Sequence, residues 1–110
     1  MRPLREQGVL IVGSGNIVHN LRAYRPDAPP HQWAQAFQHG INSALQQGEF
    51  DRIVDYLNQW GNDARLAAPT PEHFLPLLYV LAQHDDGQAV ELFNDEIIGG
   101  ALSMTSVRVN

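Results

Sequence analysis

The sequence predicts an α/β fold: a sheet with a buried N-terminal strand, three helices and a C-terminal strand pair. Three observations carry this expectation. The run "GVLIV", Gly8 to Val12, is apolar, rich in β-branched residues and bounded by glycines, as a buried, parallel strand requires. Between residues 31 and 83, apolar residues recur at helical spacing in three separate stretches. The tail from Ala89 to Val109 alternates well enough to be two strands joined near Gly99–Gly100, in the same sheet as the first.

Taken in order, "MRPLREQ" has the look of the last turn of a helix, and the Gly8–Val12 strand follows it. The proline-rich stretch Tyr24 to Pro30 reads as a loop. From His31 to Gln47, Trp33, Ala36, Phe37, Ile41, Ala44 and Leu45 mark the apolar face of an amphipathic helix spanning 33–47, with Gly40 a mild interruption. A second helix is expected from Asp51, its cap, to Trp60, with Gly61 as its stop. A third is expected over 71–83, with Thr70 as N-cap, Pro71 at the first helical position and Pro76 one turn in. Leu75 to Leu81 is apolar nearly all round, so this helix is expected to be well buried. The "DDGQ" segment reads as a turn, and the chain as one domain, 1–110.

The totals exclude several functions. Seven basic residues are scattered through a chain of net charge −5, so the clustered basic patch of a nucleic-acid or anionic-membrane partner is missing. No apolar run approaches the roughly 20 residues of a membrane span. With no cysteine, disulfides and thiol chemistry are out, and a cytoplasmic protein is the expectation.

Chemistry therefore rests on the loop "GSGNIVHN", Gly13 to Asn20, and on the histidines. Gly13 and Gly15 match the start of a dinucleotide fingerprint, but Val18 stands where its third glycine belongs, and no P-loop lysine follows. A strand-terminating turn with glycines at unusual dihedrals explains Gly13 and Gly15 equally well. His19 lies beyond the C-terminal end of the expected strand, the edge at which open α/β sheets build their sites; a purely structural histidine fits the spacing too. His73 falls near a helix N-terminus, where backbone amides favour the neutral imidazole that a metal needs, although a surface histidine fits there as well. Glu72 beside it is a candidate capping carboxylate. His31 and His39 share one helix without a third ligand and read as surface residues, while His84 reads as a helix C-terminal histidine.

"GVLIVGSGNIVHNLR", then "PTPEHFLPLLYVLAQ" and the tail "GALSMTSVRV", together resemble the class III extradiol ring-cleavage dioxygenases. Within them the DOPA 4,5-dioxygenase-like group of the protocatechuate 4,5-dioxygenase β-subunit superfamily is the nearest type. The resemblance implies the C-terminal portion of a larger dioxygenase fold with a mononuclear non-haem Fe(II) site, sometimes found with zinc in crystals. It implies that His19 and His73 are associated with the metal, and that His19 is also the catalytic acid/base. The implied substrates are a catechol-type aromatic and O2. The family's other metal-site histidines lie in an N-terminal half to which nothing here corresponds. The expected state is therefore an incomplete site, with either self-association or a missing N-terminal half covering exposed apolar surface. The competing expectation is a non-catalytic fragment or small binding domain that keeps the fold and a partial cleft.

Overall fold

Residues 2–85 and 88–109 are described by a computed structural model. The elements run α1 (Arg2–Glu6), α2 (Gln32–Gln47), α3 (Phe50–Val54), α4 (Tyr56–Ala67), α5 (Leu75–Leu81), then β1 (Val90–Phe93), β2 (Ile97–Ile98), β3 (Leu102–Ser103) and β4 (Ser106–Val109).

Helix α2 organises the core. Ala34, Phe37, Ile41, Ala44 and Leu45 recur every three or four residues and are buried together. The helix ends at Gly48, whose left-handed φ of 72° lets its N–H reach back to the last-turn carbonyls. Against this face pack Ile53 of α3, Tyr56, Ala64 and Ala67 of α4, and Phe74. Phe37 sits at the centre, its ring against those of Tyr56, Trp60 and Phe74 at 6.3, 5.7 and 5.9 Å between centroids. Full burial of each large apolar side chain here contributes about 1.5–3 kcal/mol.

The four strands are the two arms of one irregular hairpin. β1 pairs antiparallel with β4, Val90 opposite Val109 through Phe93 opposite Ser106. β2 pairs with β3, Ile97 opposite Ser103 and Ile98 opposite Leu102. Between the two ladders, residues 94–96 oppose residues 104–105, so one extra residue bulges out, and Asn94 takes a φ of 53° there. The tip is held by the proline-rich loop: Arg25 N–H bonds Gly99 O and His31 N–H bonds Gly100 O, each at 3.0 Å.

Several expectations are corrected. Gly8–Val12 is not a strand. A strand exists only through a neighbour's hydrogen bonds; Gly8 turns with a φ of 82°, Val9 N–H reaches back to Leu4 O, and no ladder partner meets 10–14 among the described residues. Nor is it buried, with Leu10 84% and Val12 80% exposed. The strand-like contact comes further on, where His19 bridges Leu102. The helix expected over 51–60 is two helices divided at Asp55; Asp51 lies inside the first turn of α3 and caps nothing. Gly61 does not stop α4, because it absorbs a kink (φ 54°, ψ −122°) and the chain continues far enough to bury Ala64 and Ala67.

The third helix is shorter than 71–83. Pro71 to Phe74 form a turn in which Pro71 O accepts from the N–H groups of Phe74 and Leu75, so Thr70 does not cap the helix, and Pro76 sits in its first turn. α5 is also less buried than expected, with Leu75 and Tyr79 facing outward. On α2 Ala34 faces the core, while Ala36 is exposed. The turn expected at "DDGQ" includes Asp86 and Gly87, which lie outside the described residues.

Candidate functional site

The glycine loop is defined by close approach rather than by dihedral freedom. Neither Gly13 nor Gly15 has a positive φ. A Cβ on Gly15 would lie 2.1 Å from His73 O, and one on Gly13 2.9 Å from Pro76 O. Without side chains, the loop lies directly on the 73–76 backbone, and Asn16 N–H bonds His73 O at 2.8 Å. The Asn16 side chain ties the loop on its other side to β3, its Nδ2 donating to Ser103 O at 2.7 Å.

His19 is then fixed from several directions. Its N–H bonds Ala67 O at 2.7 Å and the next residue's N–H bonds Ala101 O at 3.0 Å. Asn20 Nδ2 donates to Leu66 O at 2.8 Å. The carbonyls at the end of α4, which lack partners within the helix, are thus satisfied by this loop. The imidazole is 6% exposed, with Nδ1 3.0 Å from Asn16 O and Nε2 2.8 Å from Thr70 O. A neutral ring has one N–H and donates to one of these carbonyls; the imidazolium donates to both.

The same contacts bring His73 to His19. Their ring centroids are 5.1 Å apart and the planes inclined at 53°, across 54 positions of sequence. The His73 residue is exposed, and among the described residues no hydrogen bond engages its ring. It opens onto a cleft of about 450 Å³ lined by the glycine loop, Phe74, Pro76, Phe93 and Thr105. That volume falls in the range of small-molecule sites. His19 lies behind Asn16 and does not line the cleft.

Glu72 completes the polar surroundings. A hydrogen bond from the Thr70 side chain holds its carboxyl below the usual range, helped by its own backbone N–H and more weakly by the charges of His73 and His19. Burial raises the Tyr56 phenol above its ordinary value, and the Glu72 charge adds to this.

As a metal centre the pair is incomplete. Among the described residues, no group of three His, Cys, Asp or Glu side chains could hold an ion. To act as a ligand, His19 has to release one of its two carbonyls; His73 has nothing to release. The other histidines lie elsewhere. His31 stacks on Trp33 at 4.9 Å, His84 bonds Gln88 O at 2.7 Å beyond the end of α5, and His39 is exposed on α2.

No protein-family model matches the chain. It is 40% identical over 111 residues to a protein of Escherichia coli (strain K12) named 4,5-DOPA dioxygenase extradiol, and 32% identical over 109 residues to a protein of the same name from Beta vulgaris. The chain is homologous to a part of these two proteins. The matches cover 96% and 98% of this chain but only 40% of each relative. The chain also matches part of the fold of an uncharacterized Escherichia coli K12 protein of known crystal structure, with a TM-score of 0.86 and 38% identity over 96% of this chain and 45% of that one.

Two contributors to the site were not legible in the sequence as functional residues. Asn16 stands inside the quoted GSGN motif, yet its triple role, binding His73, Ser103 and the His19 ring, depends on where three distant segments meet. Thr70 acts through its carbonyl, and any residue type supplies a carbonyl.

Proposed function

We propose that this chain takes part in extradiol ring opening of a catechol-type aromatic with O2 at a non-haem Fe(II) centre (or zinc in its place), and that the 110 residues alone leave that centre incomplete. The observation that supports this reading most is the convergence of His19 and His73 in a homologue of proteins named for that activity. Extradiol opening breaks the ring C–C bond beside the two hydroxyls, and both atoms of O2 enter the product. It requires a group that removes and returns protons at the hydroxyls. His19 is the candidate for that work, and to reach a hydroxyl its ring has to release one of the two carbonyls that hold it. His73, exposed on the cleft, is the better placed of the two to meet a metal. The remaining ligands have to come from outside the described residues, because the two histidines do not make an iron site on their own.

The lack of a third ligand also favours a second reading, a non-catalytic fragment or binding domain whose cleft takes an aromatic ligand without turnover. Iron binding and O2 consumption with a catechol separate the two. The chain alone is expected to bind iron weakly and turn over slowly. Mixed with the remaining portion of the Escherichia coli relative, it is expected to bind iron and to consume O2 in a way abolished by His19→Ala, with iron binding lost in His73→Ala. Absence of iron binding and O2 uptake in the mixture supports the binding-domain reading; robust turnover by the chain alone overturns the claim that its site is incomplete.

A further inference from the structure

We propose that Gln38 and Ser103 are positioning residues for His19, joined to Asp95 by a polar network that sets the orientation of the ring. The proposal rests on the reading of His19 as the proton-moving group. Ser103 is 1% exposed and grips the segment before His19 with both of its backbone groups. Its N–H bonds Val18 O at 2.9 Å, and its carbonyl accepts from Asn16 Nδ2 at 2.7 Å. The Asn16 carbonyl in turn lies 3.0 Å from His19 Nδ1. What holds Ser103 therefore holds one of the two acceptors of the His19 ring.

The remaining hold on Ser103 is through its side chain. Ser103 Oγ donates to Oε1 of Gln38, itself 5% exposed on α2. Gln38 Nε2 donates to Asn42 Oδ1 at 2.8 Å one turn further along the helix, and Asn42 Nδ2 reaches both oxygens of Asp95 at 3.1 Å. The carboxylate fixes the direction of every bond in this series. An ionised carboxyl only accepts, so Asn42 turns its amino group to Asp95 and its carbonyl to Gln38. The Gln38 amino group is then committed to Asn42, and its carbonyl faces Ser103. The hydroxyl is left to donate there, and it accepts the Thr105 N–H at 3.3 Å. Thr105 Oγ1 donates to Asp95 at 2.7 Å, which closes the network into a loop.

Burial alone does not call for these groups. An apolar pair of the same shape in place of a hydrogen-bonded one is nearly neutral for stability. A hydrogen bond also has a preferred direction, which a dispersion contact lacks. The network thus ties β3, and through it the residues before His19, to the helix that organises the core.

The test reads His19 by NMR in the chain without metal or catechol: ring-proton cross-peaks to His73, and ring ¹⁵N shifts, which report the tautomer. Gln38→Leu and Ser103→Ala each strand a buried polar group, so Tm is expected to fall by about 5 °C or more, with the cross-peaks lost. The double variant strands neither, and most of that Tm is expected to return while the His19 signals stay altered. A merely structural pair would restore both together, and that outcome overturns the proposal. Asn42→Ala interrupts the network at its more exposed end and is expected to keep the fold while shifting the His19 ¹⁵N signals. Asn58→Ala removes an exposed amide that bonds Asp55 on another face and is expected to leave them unchanged. Parental His19 signals in Asn42→Ala, or equal shifts in Asn58→Ala, also overturn the proposal. Because the readout needs no turnover, a lack of ring cleavage in the mixture described above counts against the proposed activity and not against this positioning role.

Discussion

Gly15→Ala tests the link between loop and site most directly. The added Cβ falls 2.1 Å from His73 O, 3.0 Å from His73 C and 3.2 Å from Pro76 Cγ. Ordinary contact begins near 3.4 Å, so backbone must separate from backbone by about 1.3 Å at the closest point. No side-chain rotation relieves this, because the obstructing atom is a main-chain oxygen. The Asn16 N–H bond to His73 O, 2.8 Å long, lies one residue away and cannot survive such a shift. Overpacking costs about 1–3 kcal/mol and the lost hydrogen bond about 1 kcal/mol, so the variant is expected to lose about 2–4 kcal/mol. In thermal unfolding that is a fall in Tm of at least about 8 °C. Ring-proton NMR is expected to show the His19–His73 contact weakened as well, since His73 carries the displaced carbonyl. Ser14→Ala, at the exposed neighbouring position, is expected to stay within about 0.5 kcal/mol of the parent. A Gly15→Ala protein with parental Tm and an intact histidine contact would refute the argument that close approach is what requires glycine here.

Two further outcomes follow from the core and from Glu72. Phe37→Ala removes a fully buried ring that meets three other aromatic residues, and urea unfolding is expected to show a loss of about 3–5 kcal/mol; a loss below about 1 kcal/mol would place the core elsewhere. The Glu72 carboxyl is depressed in the folded chain, so its contribution is present above the ordinary value of 4.5 and is lost as pH falls through the lower folded value. Glu72→Gln is accordingly expected to flatten the decline of stability in acid titrations below pH 4.5, and an unchanged slope would remove the Thr70–Glu72 interaction from the account.

Side-chain periodicity by itself determined α2 and the C-terminal pairing, because a helix face and a hairpin are local patterns closed by nearby residues. Phe37, Ile41, Ala44 and Leu45 share a face at any helical spacing, and Gly99 and Gly100 turn the chain between arms that alternate. The continuous apolar run misled at "GVLIV", because it records the character of the side chains while a strand needs a neighbour's backbone. Gly61 misled for a related reason: a glycine permits either a stop or a kink, and burial of Ala64 and Ala67 decided for the kink. The candidate histidines were visible as residues and as motifs, but spacing alone left each with a structural reading. Only the tertiary structure put His19 beside His73, by laying two side-chain-free glycines on the 73–76 backbone and holding the His19 ring between the carbonyls of Asn16 and Thr70. Main-chain oxygens carry no residue-type signature, so their part in the site is decided by where distant segments pack.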